Sequence, residues 1–124
     1  MNADDLKKRT KIFALRILRL VAELPNTVQG RTVGGQLARA GTSVGSNYRA
    51  ACRGRSRAEF VAKLGTVIEE ADESAFWLEL IVEGGLLQVD LVHPLLDEAN
   101  QLTSIMTRSH MTASSHMTIR KSKK

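Results

Sequence analysis

Apolar residues recur along this chain at the spacings of three, four and seven that mark one face of an α-helix, and the pattern breaks in three places. The first stretch, residues 4–24, sets Leu6, Phe13, Ile17, Leu20, Val21 and Leu24 on one stripe. Asp4 and Asp5 stand at its start, where the helix dipole favours acids, and Lys7, Lys8, Lys11, Arg16 and Arg19 lie off the stripe. Pro25 closes it. The second stretch, residues 32–53, carries Val33, Leu37, Ala40, Val44, Tyr48 and Ala51. Beside them Gly34, Ala38, Gly41 and Gly45 fall within about 60° of one another on a wheel of 3.6 residues per turn. Each interior glycine costs a helix about 1 kcal/mol relative to alanine, so three of them predict a close approach of this backbone to another helix.

Gly54 suits a helix end, and Ser56 followed by Glu59 forms the S-x-x-E pattern of a capping box. The third helix is predicted to run from there to residue 83. Phe60, Leu64, Val67, Ala71, Ser74, Leu78 and Ile81 alternate by four and three, and Val61, Ile68, Ala75 and Val82 repeat every seven residues on an adjoining face. A helix apolar on two faces is central in its bundle or buried against another subunit. Gly84 and Gly85 end it. The fourth segment, residues 90–109, points Leu91, Leu95, Ala99 (or Glu98), Leu102 and Met106 inward, with Pro94 in its first turn. No alternating strand pattern or hairpin dipeptide interrupts this series. The expected fold is all-α, an up-down-up-down four-helix bundle over residues 1–109. A disordered basic tail is expected over 110–124, ending in Arg120, Lys121, Lys123 and Lys124.

Composition narrows the class. A chain of 124 residues makes one domain with a core that needs no metal or disulfide, and the single Cys52 has no internal partner. No apolar run approaches the ~18 residues of a membrane span, and the N-terminus lacks the pattern of a signal peptide, so a cytoplasmic protein with no membrane partner is expected. The net charge of +5 is unevenly placed. Residues 1–62 hold 12 Lys+Arg against 4 Asp+Glu, giving +8, and residues 63–124 hold 6 against 9, giving −3. That asymmetry fits a polyanion partner, a self-complementary assembly, or bases and acids paired within the chain.

Arg39, Arg49, Arg53, Arg55 and Arg57 are the concentrated candidate chemistry. Guanidinium groups bind phosphate in bidentate fashion, so such a row suits a nucleic-acid backbone. It also suits ion pairs with Glu69, Glu70, Asp72, Glu73, Glu79 and Glu83 of the next helix. Arg39, set among small residues, is the one expected to pair structurally, with Glu73. Arg49 and Arg53 close one helix, and Arg57 opens the next across Gly54, so Arg49, Arg53, Arg55 and Arg57 gather at a bundle end. Aromatics are only Phe13, Tyr48, Phe60, Phe76 and Trp77, most at packing positions, so any nucleic acid is expected to be held by its phosphates rather than by base stacking. Enzymatic constellations are thin. One half-motif, Asp90 to His93, falls short of the paired Glu-x-x-His set of a di-metal bundle, and Cys52 has no nearby histidine. No metal, cofactor or catalytic residue is expected.

The runs L-A-R-A-G-T-S-V-G-S-N-Y-R-A-A (37–51), R-S-R-A-E-F (55–60), E-E-A-D-E-S-A-F-W-L-E-L (69–80) and G-G-L-L (84–87) resemble the bacterial four-helix bundle family first noticed in intervening sequences of 23S ribosomal RNA genes, often labelled S23. The resemblance spans about residues 6–109. It implies a left-handed bundle assembled into a homopentameric ring, in which the basic bundle ends form a rim. A related basic pentamer is the accessory protein of diversity-generating retroelements, which implies RNA or DNA and a reverse transcriptase, or another protein, as partners. Positions matching the family motif are Arg39, Ser43, Asn47, Phe60, Leu64 and Glu73. Many relatives read I-A-E-G after the asparagine; here Tyr48, Arg49, Ala50 and Ala51 follow, so a basic stretch stands where those relatives have an acid. Two functions follow as expectations: a non-enzymatic oligomeric bundle binding RNA or an RNA–protein complex through its basic surface, or an adaptor whose charges serve self-assembly and one protein partner.

Overall fold

The computed structural model describes residues 1–122, with side chains described through residue 117. It consists of α1 (Ala3–Ala22), α2 (Val28–Cys52), α3 (Arg57–Glu83) and α4 (Val89–Ser122), with no strand among the described residues. Side-chain caps start the first three helices. Asn2 accepts from the Asp5 N–H while the Asp5 carboxylate accepts from the Asn2 N–H, a reciprocal box. Thr27 Oγ1 accepts from the Gly30 N–H at 3.0 Å and Ser56 Oγ from the Glu59 N–H at 3.1 Å. The Glu59 carboxylate bonds the Arg55 N–H at 2.6 Å instead of the Ser56 N–H, so only half of the expected box forms. At the end of α3, Leu86 N–H bonds Ile81 O and Gly85 N–H bonds Val82 O, a Schellman closure that requires the positive φ of Gly85.

Consecutive helices pack antiparallel. α2 lies against α1 and α3, and α4 against α3; α1 meets α4 only lightly, and the backbones of the diagonal pairs α1/α3 and α2/α4 do not approach closely. The core follows the sequence stripes: Phe13, Ile17, Leu37, Val44, Leu64, Leu78, Ile81, Leu102 and Met106 are fully buried. Thr10 joins them, because its hydroxyl bonds back to Leu6 O at 2.8 Å and so enters the core satisfied. The glycine side of α2 faces α1. A Cβ on Gly41 would stand 2.8 Å from both Cγ1 and Cγ2 of Ile17, and one on Gly45 would stand 3.3–3.4 Å from Thr10. Gly34 meets Val21 and Leu24 in the same way, while Ala38 is half-buried.

Four expectations are corrected. α2 begins at Val28 rather than at residue 32, because Thr27 caps a first turn that has almost no apolar signal. Leu91 is 52% exposed and Val92 takes its place in the core, continuing the three-four alternation of Leu95, Ala99 and Leu102. Pro94 stands in the second turn of α4 rather than the first. α4 does not stop at residue 109: it continues as helix to Ser122, with Ala113 buried, where a disordered tail was expected. No proline or glycine stands between 110 and 122, and extending an existing helix adds one hydrogen bond per residue without a new nucleus. Lys123 and Lys124 of that tail lie outside the described residues.

Candidate nucleic-acid interface

The α2–α3 turn is short because Gly54 lets it be. A Cβ there would lie 3.1 Å from Ala51 O and 3.2 Å from the Phe60 nitrogen, so a larger residue would force the end of α2 away from the start of α3. Around this turn stand Arg49 in the last turn of α2, Arg53 at its C-cap, Arg55 in the connection and Arg57 as the first residue of α3. All four are exposed, and none forms an ion pair among the described residues.

The structure divides these four. Arg53 and Arg55 line an open cavity of about 540 Å³ with Lys63 and Thr66. Arg49 and Arg53, one helical turn apart, border a second hollow with Ser46. Arg57 turns to the other side and shares a groove with Arg108 and Thr112 of α4. Glu59 also lines the first cavity, where its carboxylate is engaged by the Arg55 N–H. Lys63, Thr66 and Arg108 were not singled out from the sequence. The four-three spacing of Glu59, Lys63 and Thr66 on α3 was the available signal for the first two. α4 runs antiparallel to α3 and passes Arg57 near Ala113, so its continuation, which carries Arg120 and Lys121 in the sequence, extends from this same end of the bundle.

The remaining candidates sit elsewhere. Arg39 bonds Glu73 and, at 3.2 Å, Glu70, and Trp77 Nε1 donates to the same Glu73 carboxylate at 3.2 Å. This cluster links α2 to α3 midway along the bundle. Ser43 donates to Arg39 O at 2.7 Å and Asn47 to Ser43 O at 2.9 Å, both within α2. Phe60 is half-buried and Leu64 fully buried in the core. On the light α1–α4 seam, Arg9 grips Glu98 with two 2.7 Å bonds and reaches Gln101 at 2.8 Å. The Glu98 carboxylate raises the Arg9 pKa against the opposing effect of burial. Burial, and secondly the neighbouring Cys52 thiol, push the Tyr48 phenol well above its ordinary pKa. His93 Nδ1 lies 3.4 Å from Asp97 rather than against Asp90, and no group of three potential metal ligands occurs among the described residues.

This arrangement can do one thing directly: present several unpaired cations, with a hydroxyl and an open hollow between them, to an anion of repeating charge. The family model described as 23S rRNA-intervening sequence protein matches residues 4–108. A solved structure from Bacteroides thetaiotaomicron, a protein of unknown function from the S23 ribosomal protein family, is 28% identical, with a TM-score of 0.79 over 90% of this chain and 99% of that one. No curated protein matches the chain. Among the described residues no helix is long and apolar enough to cross a membrane.

Proposed function

Because the chain belongs to the 23S rRNA-intervening sequence protein family, and because its basic end is unpaired, we propose that it is a non-enzymatic, self-associating bundle that holds RNA by its phosphates. The observation that carries this reading is the contrast between two sets of arginines. Arg9 and Arg39 are engaged by acids of their own chain, whereas Arg49, Arg53, Arg55 and Arg57 at the α2–α3 end have none among the described residues. Four like charges held together repel one another, and a polyanion relieves that repulsion. Assembly into a cyclic oligomer, a pentamer in this reading, repeats the basic end once per subunit and sums its field along a bound strand. The bundle acts in the cytoplasm, without cofactor or metal. RNA, alone or within a complex with a protein such as a reverse transcriptase, fits better than a base-reading partner, because the cavity that Arg53 and Arg55 line contains no aromatic platform.

The test is binding of a single-stranded RNA to the wild type and to Arg53→Glu and Arg55→Glu variants at fixed low salt. Weakened binding with unchanged helicity supports the reading. Equal binding by both variants removes the α2–α3 end from the site. The adaptor reading is separated by capture after nuclease treatment: it requires a protein partner that remains bound.

A further inference from the structure

Two outward faces remain that neither the core nor the basic end uses. On α1, Ile12, Leu15 and Leu18 are 56%, 46% and 46% exposed, and Lys8, Lys11 and Arg19 stand among them. On α3, Phe76 and Leu80 are 50% and 37% exposed, and Glu69, Asp72, Glu79 and Glu83 stand among them. None of these seven charged groups is ion-paired among the described residues. The stripes also match in spacing: Lys8, Lys11 and Leu15 on one, Glu69, Asp72 and Phe76 on the other, each separated by three and then four. They sit on opposite corners of the bundle, since α1 and α3 form a diagonal pair with no close backbone approach, and they run in the same direction.

We propose that the outer face of α1 docks on the outer face of α3 of a second copy, with the two helices parallel. The occupant is another copy because each face supplies what the other lacks: the same periodic placement of aliphatic or aromatic groups, with charge of opposite sign. The contact is heterologous, so every subunit keeps one α1 face and one α3 face to offer. A rotation about an axis along the bundle leaves helix directions unchanged, so this contact lays parallel faces together at each step of a cyclic assembly. It also places the basic ends of all subunits on one rim. The assignment rests on the self-association proposed above and names the faces that form it.

The experiment is mass measurement by light scattering and sedimentation across a concentration series, with helicity checked in parallel. Wild type is expected above the 13.6 kDa of one chain. Lys11→Glu and Asp72→Lys, each alone, are expected to shift dissociation to concentrations at least about tenfold higher, because like charges then face each other. The two variants mixed as separate proteins are expected to form a contact again, since the reversed α1 face of one meets the reversed α3 face of the other. Assembly unchanged in both single variants overturns the face assignment while leaving self-association intact. A wild type that is a single chain at every concentration overturns both.

Discussion

Replacing Gly41 by alanine should destabilise the bundle, although the same change in most helices stabilises them. The intrinsic gain in helix propensity is about 1 kcal/mol. Against it stands the position of the new methyl, 2.8 Å from Cγ1 and Cγ2 of Ile17 and 3.1 Å from its Cβ. Ile17 is fully buried and β-branched, so one rotamer dominates in its helix and it has no free space to turn into. Overpacking of this kind costs about 1–3 kcal/mol, so the expected net loss is up to about 2 kcal/mol. Gly35 supplies the control. It is exposed on the same helix with nothing within 4 Å of its added Cβ, so Gly35→Ala should stabilise by about 1 kcal/mol. Both variants share the propensity gain, and the difference between them isolates the α1–α2 clash. Urea unfolding followed by circular dichroism measures both. In an Ile17→Ala background, which removes both clashing γ-carbons, Gly41→Ala should cease to be destabilising. Equal stabilisation by Gly41→Ala and Gly35→Ala would refute the close-approach account of the glycine stripe.

Two further outcomes test the packing. Tyr48, the only tyrosine, has a folded pKa raised above its unfolded value, so its contribution to stability is full below about pH 10 and is lost as pH rises through the folded pKa. The unfolded chain then releases a proton that the folded chain retains, at a cost of up to about 1.4 kcal/mol per pH unit; a melting series from pH 8 to 11 should fall more steeply for wild type than for Tyr48→Phe, with phenolate absorbance appearing only on unfolding. Arg9→Ala should cost about 1–2 kcal/mol in chemical unfolding, because it leaves the half-buried Glu98 without its bidentate partner on the seam where α1 and α4 meet least; a change within about 0.5 kcal/mol, the usual scatter of surface substitutions, would mean the pair does not close that seam.

Periodicity made the four helices legible because their apolar residues repeat at three and four over several turns, and burial reads that spacing directly. The stripe on α2 from Val33 to Ala51 is buried as expected, and the glycines beside it meet α1. What escaped was decided by single hydrogen bonds or by neighbours distant in sequence. Thr10 looks polar until its hydroxyl is satisfied within its own helix. The first turn of α2 depends on Thr27, and the continuation of α4 depends on the absence of a stop signal, which a polar composition conceals. The arginines were visible as a group, but their division was not. Only the packing of α4 beside α3 shows that Arg57 faces Arg108 while Arg53 and Arg55 face Lys63. The complementary faces of α1 and α3 were half visible, as basic residues off one stripe and acids along the other. Their exposure required the fold.

The most direct test of the account is the salt dependence of RNA binding. If Arg49, Arg53, Arg55 and Arg57 each neutralise one phosphate, the log–log slope of affinity for single-stranded RNA against salt should be about −3 per bound subunit, from roughly −0.7 per contact. Arg53→Glu should make that slope shallower by about one contact or more. A slope near zero, or no binding at ~50 mM salt, would contradict the central claim that this basic end holds a phosphate backbone.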